Sequence, residues 1–346
     1  MLYELIIRTR NFLYDKGLLS VYDPPVPVIV VGNLVTGGTG KTPMVGWLAD
    51  KLKKEYRVAV LSRGYKRKSS GFLVVETSSS PVMTGDEPLE LKLRHPDILV
   101  AVDGHRSRGI KTITSGRYGK IDVILMDDGF QHRKIRPTLS IILDDYNRPM
   151  FREKMLPTGR LREPLSELKR ADILIITKIP PGVDPPNNTP IKYRQIIPTF
   201  YSRIHYQAPV NLFNLFTPQQ LVLPSHPDRS SDPLSDLKPL ILVTGIASPG
   251  PLHTHLEQFG KVLTHLKFGD HHHYTQGDVN RIVQTFNQYK SDSPVIVTTG
   301  KDFVKLARYP ELTCLPVYRI PAVPSFDREK DLITQILPLI KPLRNR

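Results

Sequence analysis

Short runs of apolar, mostly β-branched residues recur along the first half of the chain: "VPVIVV" (26–31), "VAVL" (58–61), "DILVAV" (97–102), "DVILM" (122–126), "LSIIL" (139–143) and "ADILIIT" (171–177). Each run is nearly continuous rather than alternating, and stretches of helical character separate them. Strands of this kind are buried on both faces, which predicts a parallel sheet covered by helices. In such sheets ligands collect beyond the carboxyl ends of the strands. The chain puts its Gly-rich and charged segments there: "GGTGKT" after the first run, "SRGYKRK" after the second, "DGHRSRG" after the third, "DDGFQH" after the fourth and "DDYNR" after the fifth.

Residues 179–239 change character. "IPPGVDPPNNTP" and "LPSHPDRSSDPLSDLKP" are rich in Pro, Ser and Asp and read as linkers or surface loops. Between them "TFYSRIHYQAPVNLFNL" alternates enough for one or two strands. A second α/β unit follows, with apolar runs in "LILVTGIA" (240–247) and "VIVTTGKD" (295–302) and helical patterns in "LEQFGKVL" and "DVNRIVQTFNQY". The expected organisation is an N-terminal helix over 1–22, a nucleotide-binding domain over 23–200 and a smaller unit over 201–346. The helix is amphipathic: at about 100° per residue, Leu2, Leu5, Ile6, Phe12 and Leu13 share one broad face, with Glu4, Arg8 and Asp15 opposite. Such a face can lie in a bilayer interface or dock on the protein's own core, and the wheel does not choose between them.

"VGNLVTGGTGKTP" (31–43) carries the clearest chemistry. A strand that feeds Gly-rich backbone into a helix aims amide groups and a helix N-terminus at phosphate oxygens. Thr36, Gly37, Gly38, Thr39, Gly40, Lys41 and Thr42 are the expected nucleotide-binding residues, with Lys41 reaching the β- and γ-phosphates and Thr42 placed for Mg²⁺. The general phosphate-loop pattern asks for Gly at position 35, where this chain has Val35. Pro43 needs no amide donor in the helix's first turn.

"MDDGFQH" (126–132) sets Asp127 and Asp128 at a strand end, where phosphate-loop NTPases keep the acidic residue that binds or orients the metal. Adjacent carboxylates repel unless a cation or proton relieves them, so a metal is the economical reading beside that loop. "TGDEP" (84–88) taken alone is an ordinary helix start. The three consecutive histidines of "FGDHHHY" (268–274) do not suit zinc, because adjacent side chains seldom converge on one ion and no second ligand cluster appears. Arg and Lys in "SRGYKRK", "HRSRG" and "TGRLRE" can meet anionic substrate or phosphate.

Composition narrows the rest. The chain's 346 residues suit two α/β units, and a single cysteine, Cys314, excludes a disulfide framework or a Cys-based zinc cluster. The N-terminal apolar residues are interrupted by Glu4, Arg8 and Arg10, unlike a cleavable signal, and no run approaches the roughly 18 apolar residues of a spanning helix. A net charge of +15 fits nucleic acid, an anionic bilayer or a phosphorylated substrate equally well.

Taken together, "VGNLVTGGTGKTP", "LSRGYKRK", "GDEP", "DDGFQH", "LPTGRLREP", "GDHHHY" and "TTGKD" run in an order that resembles the tetraacyldisaccharide 4′-kinase family of Gram-negative lipid A biosynthesis, from residue 1 to about 310. In that family's loop the Val at position 35 is no exception. The resemblance implies a phosphate-loop α/β/α domain with a smaller α/β/α subdomain that meets it at a cleft. It implies transfer of the γ-phosphoryl group of ATP, with Mg²⁺, to the 4′-hydroxyl of a tetraacylated glucosamine disaccharide 1-phosphate. It further implies a monotopic N-terminal helix on the cytoplasmic face of the inner membrane, with the protein acting as a monomer and without nucleic acid.

Carried onto this chain, the resemblance makes Asp86 the catalytic base and His271 its partner, with His272 and His273 as neighbours that could take the same place. Asp127 and Asp128 become catalytic and, with Thr42 and Glu163, metal-binding. Arg63, Glu87, Gln131, His132 and Arg162 are expected to face substrate. Asp86 and His271 fall in different units, which suggests that closure pairs them once sugar is bound. At about 0.8 kcal/mol per CH₂, a single chain of roughly a dozen carbons holds its sugar in the bilayer by about 9 to 10 kcal/mol. A kinase for a four-chain lipid must therefore work at the membrane, which favours the interfacial reading of residues 1–20 and gives the positive charge an anionic target. The competing classes are a phosphate-loop switch or metal-cluster maturation NTPase, and a nucleic-acid-stimulated ATPase.

Overall fold

The computed structural model describes residues 2–184, 197–211 and 239–341, in two units. The first unit comprises residues 1–205 and 323–346. Its sheet has nine strands, and five of the apolar runs become central, fully or almost fully buried ones: β1 (Val28–Gly32), β2 (Val58–Ser62), β5 (Val123–Asp127), β6 (Leu139–Asp145) and β7 (Ile173–Thr177). With β3 (Leu73–Val74), β4 (Leu99–Val102), β8 (Thr199–Tyr206) and β14 (Ala322–Phe326), the order is β14-β8-β7-β6-β1-β5-β2-β4-β3. From β8 to β4 the neighbours pair in parallel, and β3 is antiparallel to β4.

Strand β1 sits between β5 and β6, in a register that sets Val31 opposite Asp127. This register brings the acidic turn to the mouth of the phosphate loop. Strand β1 ends in Gly32 for a steric reason: a Cβ there would stand 2.6 Å from the Cβ of Phe130 in that turn. Helices α2 (Lys41–Leu52), α3 (Pro81–Thr84), α4 (Asp86–Arg94) and α5 (Arg106–Ile113) follow the strand ends.

The N-terminal helix α1 spans Leu2–Asp15. It seats itself through Ile7 and the polar Asn11, which are buried, while Leu2, Leu5, Ile6 and Phe12 stay more than half exposed. Leu13, the fifth member of the expected face, is partly buried, so most but not all of that face is left open.

The second unit, Tyr206–Ala322, holds a five-stranded sheet in the order β11-β10-β12-β13-β9. Its strands are β9 (Val210–Asn211), β10 (Leu240–Thr244), β11 (Val262–Lys267), β12 (Val295–Thr299) and β13 (Val317–Ile320), all parallel except β9. Alternation along β10 sends Ile241 and Val243 into one apolar cluster and Leu240 and Leu242 into another, so both faces of the sheet are covered.

Two expectations change. "LEQFGKVL" is not a helix: a helix ends at Leu256 and β11 begins at Val262, because the run is too short and too Gly-broken to propagate. The second unit does not extend from 201 to 346: β14 and the C-terminal helix Glu329–Ile340 rejoin the first unit. There Phe326 packs on Trp47 at 4.7 Å between ring centroids, Arg328 lies over Phe200, and Glu329 pairs with Lys51. A helical pattern carries no information about which sheet covers it. Parts of both expected linkers, 185–190 and 223–238, lie outside the described residues.

Candidate active site

The phosphate loop is built from backbone freedom and held from three sides. Gly37 (φ 111°) and Gly40 (φ 93°, the residue before α2) adopt left-handed conformations that side chains resist. Asn33 Nδ2 donates to Thr39 Oγ1 at 2.9 Å, Thr177 Oγ1 donates to the Thr39 carbonyl at 2.9 Å, and Lys178 Nζ donates to the Gly38 carbonyl while pairing with Asp145 at 2.6 Å. On the other flank, Thr36 N donates to the Arg160 carbonyl at 2.8 Å, and Val35 forms a bridge with Leu161. Val35 is 1% exposed, so the residue out of place in the general motif packs the loop onto "LPTGRLREP".

Four charged groups gather beside the loop. Lys41 Nζ lies 3.6 Å from Asp128 Oδ1. Arg162 grips the same carboxylate with two hydrogen bonds, Nη2 to Oδ1 at 2.8 Å and Nη1 to Oδ2 at 3.1 Å, and also donates to Asn33 Oδ1. Burial opposes ionisation of Asp128, but Lys41 and Arg162 outweigh it and hold its carboxyl well below the usual range. Asp128 has φ 49°, a left-handed backbone that Asp tolerates better than most residues.

Asp127 is in the opposite state. It is 2% exposed, and its Oδ1 has no hydrogen-bond partner. Burial, then the negative charges of Glu87 and Asp128, push its carboxyl up to about 7. An orphaned carboxylate oxygen beside a second acid and a phosphate loop is a place a divalent cation relieves. Among the described residues, no three His, Cys, Asp or Glu side chains form a metal cage. The carboxylates of Asp127 and Asp128 suit Mg²⁺, which takes one or two carboxylates and completes its shell with water and phosphate oxygens.

Around this core stand residues that the sequence picked out and others it did not. Glu87 is close enough to raise Asp127, and Arg63, exposed after β2, acts on both Arg106 and His132. Gln131 Nε2 donates to the Asn33 carbonyl at 2.8 Å. Burial first, then the Arg106 cation, lower His132 to about 4, so it is neutral at pH 7. Asp86, 8% exposed, begins α4 and accepts a hydrogen bond from the Glu87 amide at 3.0 Å. Arg106, 2% exposed and absent from the expected site, donates to the carbonyls of Asp103 and Asp127. Asn33, Thr177 and Lys178 are also additions, and their place at or just past a strand end was the only hint of them.

Glu163 departs from expectation. It is fully buried, one oxygen paired with Arg10 and the other accepting from Asn11 Nδ2 at 2.7 Å. It anchors α1, and a metal role would require that pairing to open.

In the second unit, "GDHHHY" and "TTGKD" meet. Asp302 accepts from the Gly245 amide at 2.7 Å and from Thr299 Oγ1 at 2.8 Å, tying the loop after β10 to the helix Gly300–Leu306 that directly follows β12. Lys301 Nζ lies 3.2 Å from His271 Nε2. Of the other two histidines, His272 is bound to Asp278 at 2.9 Å and stacked on Phe268, and His273 is exposed. His271, with φ 56°, carries the loop's unusual backbone.

A family model described as tetraacyldisaccharide-1-P 4′-kinase matches residues 1–341. The chain is 39% identical to a tetraacyldisaccharide 4′-kinase of Parabacteroides distasonis over 342 residues, 95% of this chain and 89% of that protein. It is 38% identical to the protein of the same name from Bacteroides thetaiotaomicron, covering 90% and 82% of the two chains. Its structure resembles a crystal structure of LpxK from Aquifex aeolicus, described as an "apo" form in complex with ATP, with a TM-score of 0.75, 32% identity and coverage of 98% and 96%.

Proposed function

This chain belongs to the tetraacyldisaccharide-1-P 4′-kinase family, and from that premise we propose how its residues serve the transfer of the ATP γ-phosphoryl group to a lipid disaccharide. The observation that carries the reading is the convergence of Lys41 and Arg162 on Asp128, next to the unpartnered Oδ1 of Asp127, at the mouth of a phosphate loop.

Phosphoryl transfer asks a protein for positioning and charge more than for covalent chemistry. The amides of Gly37 to Thr42 and the N-terminus of α2 cradle the triphosphate, and Lys41 turns from Asp128 toward its outer phosphates. Thr42 and Asp127, with Asp128 beside them, are the residues that would hold Mg²⁺, and the ion would supply positive charge against the β- and γ-phosphates. Arg162 and the buried Arg106 fix the acidic turn, so that little reorganisation remains at the moment of transfer. Asp86 takes the proton of the sugar hydroxyl, and His271 is the residue of the second unit that the family resemblance assigns to catalysis. Arg63, Glu87, Gln131 and His132 line the acceptor side.

The exposed leucines, isoleucine and phenylalanine of α1 are the surface that meets lipid at the cytoplasmic face of the inner membrane. No helix among the described residues is long and apolar enough to cross a bilayer. The test is incubation with Mg·ATP and the acylated disaccharide 1-phosphate in detergent micelles. The expected result is a doubly phosphorylated lipid, absent with Lys41→Ala. Nucleotide-dependent dimerisation without that product would indicate a switch protein instead.

A further inference from the structure

Helix α1 presents two faces with different chemistry. Outward are Leu2, Leu5, Ile6 and Phe12, and inward is a polar seam that bonds to two consecutive residues, Arg162 and Glu163. Tyr3 Oη donates to the Arg162 carbonyl at 3.0 Å. Asn11 Nδ2 donates to Glu163 Oε2 at 2.7 Å, and Arg10 pairs with Oε1 while also donating to Asn11 Oδ1 at 3.1 Å. Arg133 Nη1 closes the seam on the Asn11 carbonyl at 3.0 Å, and its Nη2 pairs with Asp15.

The other side of the same dipeptide belongs to the phosphate site. The Arg162 amide donates to the Leu34 carbonyl at 2.7 Å, and its guanidinium forks onto Asp128. Two covalently joined residues thus connect the lipid-facing helix to the turn that faces the phosphates. Asn11 is also a local misfit: asparagine is a poor residue for a helix interior, and here it is 3% exposed. A residue that breaks the local rule for a specific long-range partner is where a functional constraint is expected.

Resting on the kinase reading above, we infer that Asn11, with Arg10 and Tyr3, is a positioning residue that fixes Arg162 and Glu163 for phosphoryl transfer, so that the helix which meets the lipid also sets the geometry of the phosphate site. Asn11 touches neither substrate. It acts through Glu163, whose buried carboxylate keeps the segment in register, and thereby through the fork of Arg162 on Asp128.

The experiment compares Asn11→Asp, Tyr3→Phe, Arg162→Lys and the double variant Asn11→Asp/Arg162→Lys in the full chain. It measures kcat, KM for ATP, KM for the lipid in micelles, flotation with anionic vesicles and thermal melting. Asn11→Asp sets a carboxylate against the buried Glu163, and kcat is expected to fall on the order of 10- to 100-fold, the scale of a small misplacement near reacting groups. KM for ATP and vesicle flotation should stay within about twofold of wild type, since uniform binding is untouched. In the Arg162→Lys background the same substitution should cost much less, because both act on one contact. Adding Glu163→Gln to Asn11→Asp restores an amide facing a carboxylate and should recover part of kcat.

Wild-type kcat in Asn11→Asp, a loss fully additive with Arg162→Lys, or a loss confined to flotation would each overturn the inference. If Asn11→Asp melts below the assay temperature, Tyr3→Phe, which removes one hydroxyl, decides by the same criteria with a smaller expected fall. Failure of the wild-type protein to phosphorylate the lipid would instead refute the kinase reading.

Discussion

Asp127→Asn is the most revealing single change, because it should harm activity and improve stability together. A carboxyl held at about 7 rather than 3.8 costs its ionised form about 4 kcal/mol, at roughly 1.4 kcal/mol per pH unit, a ceiling that relaxation reduces. The native state keeps this proton above the pH at which the unfolded chain releases it. Between about pH 4 and pH 7 the folded protein therefore binds more protons than the unfolded one, and stability falls as pH rises. Above about 7 the loss is complete and the curve flattens. The amide in Asp127→Asn has no charge to strand. Its advantage over wild type should be near zero below pH 4 and climb to about 2–4 kcal/mol above pH 7.

Trp47 is the only tryptophan; it is buried in α2 directly after the phosphate loop, so its fluorescence reports unfolding of the unit that holds Asp127. With a urea slope of about 3 kcal/mol/M, the midpoint at pH 8 should rise on the order of 1 M. Asp144, also raised to about 7 by burial, titrates in the same window but is common to both proteins and cancels in the difference. Lipid phosphorylation by the variant should be lost. A variant whose midpoint tracks wild type across pH 4 to 8, or lies below it, would show that the Asp127 charge is already satisfied in the free protein and would remove the reason for a cation there.

Arg162→Lys should lower kcat on the order of 10- to 100-fold despite keeping the charge, because an ammonium cannot make the two-pronged contact with Asp128; unchanged turnover would mean the fork is incidental. Leu5→Glu with Phe12→Glu should abolish flotation on anionic vesicles and leave melting within about 1 kcal/mol of wild type, since both side chains already face solvent; a large loss of stability would mean that they pack in the protein. Asp86→Ala and His271→Ala should each suppress lipid phosphorylation, and full turnover in either would remove that residue from the proposed mechanism.

Local patterning determined much of this protein. Continuous apolar runs require strands buried on both faces, Gly37 to Thr42 require a loop that presents amides, and adjacent aspartates at a strand end require something to relieve their repulsion. Each of these is settled within a few residues of chain. The tertiary structure decided what depended on partners distant in sequence. Strand register set Val31 beside Asp127 and so made two motifs one site. The C-terminal helix buries Leu332, Ile336 and Ile340 in the first unit, although it follows the second in sequence. Glu163, an acid near a phosphate site by sequence, has its charge met by Arg10 and Asn11, more than 150 residues away. Periodicity reports which face of a segment is apolar, but a buried charge is defined by whichever group reaches it, and only the folded chain makes that choice.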